Sequence, residues 1–303
     1  AEVNPNVVVV LKSGGICAVP NALAGIKGFL YAFYPGMEGG NAIADVIYGD
    51  VNPSGKLPVT MPVDDAQMPE WNDDFSDDYN GGYRFYDEME VKPQYPFGFG
   101  LSYTEFSISD FQLDATTYAA GAPITATVQV ANTGSVGGAE VVQLYLENTA
   151  APVWMPKKEL KGFQKVYLEP GGVETVTFTL GANELYYFDE ALDRYEVALG
   201  AYALRVGANS VDLSDPISFE ITAGTPAPDF EVTRIFTYPR YPLPGDSLML
   251  CALVKNQGTS TVTADEPLGM SFLVDGIEVA ATETLMDTLW IGGATLQCAS
   301  ASG

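Results

Sequence analysis

Val7-Val8-Val9-Val10-Leu11 runs four valines into a leucine with no polar interruption. A half-exposed strand would alternate, so an unbroken β-branched run fits a strand covered on both faces in a parallel sheet. Ser13-Gly14-Gly15 breaks it, and Phe29-Leu30-Tyr31-Ala32-Phe33 reads as a second strand stopped by Pro35-Gly36. From Glu38 to Tyr48, Ala42, Ile43, Val46 and Ile47 keep helical spacing, and Gly49 ends the helix as a residue tolerant of the left-handed conformation. Strands alternating with helices imply an α/β sheet. Two such strands need neighbours, so residues 1–62 are expected to be the C-terminal remnant of a larger α/β domain.

The pattern changes twice further along. Residues 63–100 form an acidic, aromatic, Pro-rich linker without a clean period. Asp64, Asp65, Glu70, Asp73, Asp74, Asp77, Asp78, Asp87, Glu88 and Glu90 face only Arg84 and Lys92 there. From Leu101 the chain is all-β. Ile124, Ala126, Val128 and Val130 alternate with polar residues, and the same alternation marks 141–146, 176–180, 195–199 and 202–206. Seven or so strands over residues 101–223 is the count of an immunoglobulin-like sandwich. After the stiff Thr225-Pro226-Ala227-Pro228, the interval from Gly121 to Asn132 repeats between Gly245 and Asn256. Residues 229–303 are therefore expected to be a second, Ig-like module showing about five strands, its last segment from Gly292 small and polar. The fold class is multidomain: a partial α/β sandwich followed by two all-β immunoglobulin-like sandwiches, cut at both ends.

Composition excludes whole classes of chemistry. Hydrophobic residues make up 47% and charged residues 17% of the chain, the balance of a globular protein. Fourteen Lys and Arg against 39 Asp and Glu leave a net charge of −25, which disfavours nucleic acid and anionic lipid and suits a neutral substrate or an extracellular setting. No apolar run is long enough to insert in a membrane as a helix. The absence of histidine removes Ser-His-Asp, Cys-His and His-ligated metal chemistry from this stretch. Cys17, Cys251 and Cys298 lie too far apart for a zinc pattern. Cys251 and Cys298 fall in one predicted module, where a bridge across the sandwich and two free thiols are both open readings.

Three blocks then carry a resemblance. Tyr34-Pro35-Gly36-Met37-Glu38-Gly39-Gly40-Asn41-Ala42-Ile43-Ala44-Asp45-Val46 is followed by Gly49-Asp50-Val51-Asn52-Pro53-Ser54-Gly55-Lys56-Leu57-Pro58. Gly82-Tyr83-Arg84-Phe85-Tyr86-Asp87 then leads into Pro96-Phe97-Gly98-Phe99-Gly100-Leu101-Ser102-Tyr103-Thr104. In order and spacing they resemble glycoside hydrolase family 3, over about residues 5–222. The resemblance implies the end of that family's α/β-sandwich domain and then its fibronectin type III-like domain. Residues 229–303 resemble, more weakly, a bacterial Ig-like adhesion module. Phe99 stands where the family often has histidine, and Asp77-Asp78-Tyr79-Asn80-Gly81 is short and lacks a glutamate common there, which alters a loop facing the substrate pocket.

A retaining β-glucosidase needs two carboxyl groups about 5–5.5 Å apart, a nucleophile and a general acid/base. In the resembled family both precede the strand that begins here at Val7, so no catalytic residue is assigned in this chain, which is expected to be inactive alone. Candidate substrate-binding residues are Glu38, Trp71, Tyr83 and Arg84. Each has a plainer reading: Glu38 as a helix cap, Trp71 and Tyr83 as linker packing, Arg84 as one half of a buried ion pair. Asp73-Asp74 and Asp77-Asp78 supply oxygen ligands of the kind calcium takes, but without EF-hand spacing they read as a solvated loop. Gly36, Gly39 and Gly40 lack the Gly-Lys-Ser/Thr ending of a phosphate loop. No metal or cofactor is called for. The expected partners are an oligosaccharide or β-glucoside and a second copy of the chain, in a secreted or periplasmic setting. Rival readings are a β-xylosidase or β-N-acetylglucosaminidase of the same family, and a non-catalytic adhesion or carbohydrate-binding protein.

Overall fold

In the computed structural model, which describes residues 4–19, 23, 25–68 and 81–223 together with the backbone of five later strands and the Cys251 side chain, the valine run becomes β1 (Val8–Leu11). It pairs in parallel with β2 (Gly28–Tyr31), Val8 opposite Gly28 and Leu11 opposite Tyr31. The expected cover on both faces is missing among the described residues: Val8 is 46% exposed, and β2 is the sole strand partner of β1. The second strand also ends earlier than its apolar run. Phe33 has φ +46°, which no strand residue adopts. Helix α1 (Gly39–Tyr48) ends at Gly49, whose φ of +85° lets its N–H reach the Val46 carbonyl.

The linker departs most from expectation, because a short helix α2 (Tyr83–Glu88) interrupts it. The stretch after α2 is zipped to the segment after α1. Leu57 N–H donates to the Phe99 carbonyl at 2.8 Å, Gly98 N–H to Leu57 at 2.7 Å, and Met61 N–H to Tyr95 at 2.8 Å. Asn52 ties the same seam to the sandwich: its Nδ2 donates to the Gly137 carbonyl at 3.0 Å, while its Oδ1 accepts from Ser102 Oγ and Tyr103 N–H.

Two sheets then face each other. One holds β3 (Phe106–Leu113), β5 (Ile124–Asn132) and β8 (Val173–Leu180) in the order β3-β5-β8. The other runs β4-β12-β11-β6-β7, with β4 (Thr117–Ala119) and β7 (Glu159–Leu168) at its edges and β6 (Gly138–Asn148), β11 (Gly200–Gly207) and β12 (Ile217–Thr222) inside. The alternation read from the sequence decides the core. Ile124, Ala126, Val128 and Val130 meet Val142, Leu144, Val176, Leu204 and Val206, all at 0–1% exposure. Each large side chain so covered contributes about 1.5–3 kcal/mol. Helix α3 (Ala182–Leu185) and a hairpin of β9 (Tyr186–Asp189) and β10 (Arg194–Val197) complete this unit. The expected strand 195–199 thus starts at Arg194 and stops before Leu199.

Ala1–Thr222 form one compact unit and Ala223–Gly303 another. In the second, β13 (Phe230–Tyr238), β14 (Met249–Asn256) and β17 (Ala294–Ser300) form one sheet, and β15 (Met270–Val274) and β16 (Ile277–Thr282) another. The repeat surfaces here: β5 ends at Asn132 and β14 at Asn256. Cys251 is disulfide-bonded, and its backbone partner in register is Cys298 on the neighbouring strand of the same sheet, not on an opposite one. Within the small, polar final segment, Ala294–Ser300 form a strand. No helix among the described residues is long and apolar enough to cross a membrane.

Candidate functional site

β6 is buried on both faces, and its second face is where the candidate residues gather. Val142, Leu144 and Leu146 point into the sandwich, whereas Gln143 and Tyr145 point the other way, under the linker. Gln143 Nε2 donates to the Ala208 carbonyl at 2.8 Å, and the Tyr145 hydroxyl donates to Gln143 Oε1 at 2.7 Å. Tyr83 lies on this floor, its ring 5.7 Å from Tyr145 in a T-shaped pair and 5.3 Å from Phe97. Its hydroxyl accepts the Leu160 N–H at 2.8 Å, and burial pushes its pKa up.

α2 is held to the start of β7 by charge. Arg84 Nη2 lies 3.3 Å from Glu159 Oε1, and Lys161 Nζ lies 3.2 Å from Glu159 Oε2. Asp87 Oδ1 meets Lys158 Nζ at 2.5 Å, and Glu90 meets Lys157 at 2.8 Å. Arg84 is therefore the ion-pair member its surroundings suggest, with its partner on the sandwich. Burial raises the Asp87 pKa, opposed by the hydrogen bond and charge of Lys158.

The four sequence candidates do not converge among the described residues. Glu38 stands exposed ahead of α1 and makes no side-chain cap bond. It occupies the N-cap position, and its carboxylate accepts from Asn41 Nδ2 at 2.6 Å. Tyr83 and Arg84 share α2. Trp71 and the Asp73-Asp74 and Asp77-Asp78 pairs lie outside the described residues. What Tyr83 does join is a cavity of about 390 Å³, lined also by Thr60, Tyr86, Asp87, Glu90 and Ser210. Tyr83, Tyr86 and Asp87 reach it because positions i, i+3 and i+4 share a helix face. That spacing was available in the sequence but was hidden by the absence of a helical period around it. Nothing local marks Thr60 or Ser210.

The seam geometry and the motif blocks coincide. Residues 1–103 match the model described as "Glycosyl hydrolase family 3 C-terminal domain", and residues 140–210 the "Fibronectin type III-like domain". The chain carries both domains. Among relatives, the "Probable beta-glucosidase I" of Aspergillus flavus is 43% identical over 219 residues, which is 68% of this chain and 26% of that protein. The "Exo-alpha-(1->6)-L-arabinopyranosidase" of Bifidobacterium longum is 40% identical over 226 residues, 72% of this chain and 30% of that protein. Among solved structures, the beta-D-glucoside glucohydrolase of Trichoderma reesei superposes with a TM-score of 0.67 at 34% identity, covering 72% of this chain and 34% of that one. The chain spans under a third of the length of either curated relative. The seam is built from the quoted blocks: Asn52 reaches Gly137, Lys56 reaches Glu140 and Gly98 reaches Gln143 on the sandwich, while the Gly100 carbonyl holds Lys56 in place.

Proposed function

We propose that this chain is the C-terminal part of a retaining β-glucosidase that releases terminal β-D-glucosyl residues, with its nucleophile and acid/base N-terminal to Val7. The observation that carries this reading is the order of the two domain matches along one chain, together with the likeness to a named β-glucosidase through both. The parallel pair β1–β2 supports it, since Val8 is nearly half exposed and no residue of this β-branched strand is fully buried, so it wants a further layer. The chain's share of the work is structural chemistry: α2 and the zipped seam hold one wall in place, and the fibronectin type III-like domain braces it. The family 3 rivals, β-xylosidase and β-N-acetylglucosaminidase, would be told apart by residues that grip the sugar, which on this reading lie mostly N-terminal to Val7. The second unit is read as an Ig-like adhesion module, and a disulfide-bonded Cys251 supports an exported protein. A purely adhesive or carbohydrate-binding role is disfavoured by the α/β segment, which such a protein has no use for.

The test is an assay of the 303-residue chain, alone and joined to the coding sequence preceding it, on aryl β-D-glucoside, β-D-xyloside and N-acetyl-β-D-glucosaminide. The chain alone should show no turnover, and the extended protein should prefer the glucoside by about tenfold or more, roughly 1.4 kcal/mol in the transition state. Turnover by the chain alone would overturn the placing of the carboxylates, and preference for another glycoside would overturn the sugar.

A further inference from the structure

The hairpin of β9 and β10 carries an aromatic face that the sandwich does not cover. Its antiparallel register sets Tyr195 opposite Phe188 and Glu196 opposite Tyr187. Alternate residues of a strand point to opposite faces, so Tyr187 turns into the core while Tyr186, Phe188 and Tyr195 share the outer side. There the Tyr195 ring stacks on Tyr186 at 6.0 Å and meets Phe188 edge-on at 5.3 Å. Tyr195 is 66% exposed and Phe188 42%. The turn that joins the two strands is fixed by Asp189 Oδ1, which accepts from the Ala191 and Leu192 N–H groups at 2.9 and 3.0 Å. The rings are thus held in place before anything meets them, which lowers the cost of binding.

The charge around this face has one sign. Glu190 and Asp193 stand exposed at the turn, with no cation against them among the described residues. Arg194 is the one basic residue of the hairpin, and Glu196 already holds it. Beneath the rings, burial first and then the charges of Asp189 and Glu196 raise the Tyr187 pKa, as a negative field does. An aromatic face is itself electron-rich, so rings and carboxylates together attract a cation that carries an apolar stem. Arginine and lysine side chains have that form. A second copy is a poorer match, because each chain brings a net charge of −25 to the contact, and anionic lipid is repelled for the same reason. We propose that the outer face of this hairpin docks a basic segment of another protein, whose arginine or lysine stems lie on Tyr195 and Phe188 with their charges toward Glu190 and Asp193.

The experiment titrates the full 303-residue chain with a capped hexapeptide of alternating arginine and leucine, read by amide chemical shifts. Saturable shifts centred on Phe188, Asp193 and Tyr195 are expected, with a Kd of about 0.1–1 mM at low salt that weakens about tenfold by about 0.5 M sodium chloride. The same hexapeptide with serine for arginine should not bind. Tyr195→Ala should weaken binding about fourfold through the lost cation–ring contact. Glu190→Gln with Asp193→Asn should do so by a similar factor, asparagine keeping the left-handed backbone that Asp193 adopts at φ +52°. Matched changes elsewhere, Phe163→Ala on β7 and Glu174→Gln with Glu220→Gln, remove an equally exposed ring and as much charge, and should leave binding unchanged. Should Tyr195→Ala fail to fold, Phe188→Ala takes its place, and if both fail the map of shifts on the wild-type chain decides. Shifts spread over the acidic surface, binding that the aromatic variants leave intact, or no saturation up to about 5 mM peptide would overturn the proposal. So would the same shifts appearing with cellobiose, which would make the face a sugar platform, or on raising the chain's own concentration, which would put a second copy there.

Discussion

Lys56 is the residue on which the seam turns. Its Nζ lies 2.6 Å from Glu140 Oε1 and donates to the Gly100 carbonyl at 2.8 Å, with both side chains about nine-tenths covered. Removing one partner of such a pair strands the other charge, at a cost of about 3–5 kcal/mol, whereas replacing both is far milder. Glu140→Gln should therefore lower stability by about 3 kcal/mol, and Lys56→Met with Glu140→Leu should recover much of it, as a urea-denaturation cycle would measure. A second residue-scale test concerns pH. The Tyr118 hydroxyl donates to Asp114 Oδ1 at 2.6 Å, which holds the Asp114 pKa below its ordinary value. Asp114 thus stabilises the fold above the ordinary carboxylate pKa, and that contribution disappears as pH falls through the depressed one. Asp114→Asn should cost most near neutrality and converge on wild type in strong acid. Tyr118 moves the opposite way, raised to about 12 by burial and then by Asp114. Its stabilisation is whole below about pH 10 and is lost as pH climbs through 12, so the stability difference between wild type and Tyr118→Phe should shrink over that range in alkaline denaturation.

At the scale of elements, the glycines of the seam test whether the α/β segment and the sandwich are truly docked. A Cβ on Gly100 would fall on the Gly55 carbonyl oxygen and against the Lys56 stem, and backbone cannot move aside as a side chain can. Gly100→Ala should cost about 1–3 kcal/mol by forcing the seam open, and hydrogen exchange at Leu57 and Gly98 should accelerate with it. Elements also show what the sequence could tell. The strands β5 and β6 and the helix α1 were legible because their periods are long and their inner positions are filled by Ile, Val and Leu. β7 was not, because its exposed positions carry Phe163 and Tyr167 beside Lys165, which blurs the alternation. α2 escaped for a different reason: six residues carry too few turns for a period to show, and its partners, Glu159 and Lys158, lie some 75 positions away. The cavity was illegible altogether, since Thr60 and Ser210 come from segments that meet only in the folded chain.

For the whole molecule, the decisive quantity is charge. Of the fourteen Lys and Arg, seven sit in ion pairs among the described residues: Lys56, Arg84, Lys157, Lys158, Lys161, Arg194 and Arg205. The net charge of −25 leaves a large excess of acid. Added salt screens such long-range repulsion more than it weakens half-buried pairs. Raising sodium chloride from about 20 mM to 0.5 M should increase Tm by a few degrees in a thermal scan; a fall would mean that the pairs outweigh the repulsion. The five-stranded sheet adds a consequence of its own. One flank, β4, is three residues long, and the other, β7, slips register against β6 between Leu144 and Tyr145 and leaves Lys165 exposed. Neither flank offers a straight row of free amides and carbonyls to template another chain. Concentrated, agitated solutions should accordingly stay free of thioflavin-positive fibrils, and Lys165→Val, which removes the exposed charge of β7, would be the change that lets amyloid growth begin there.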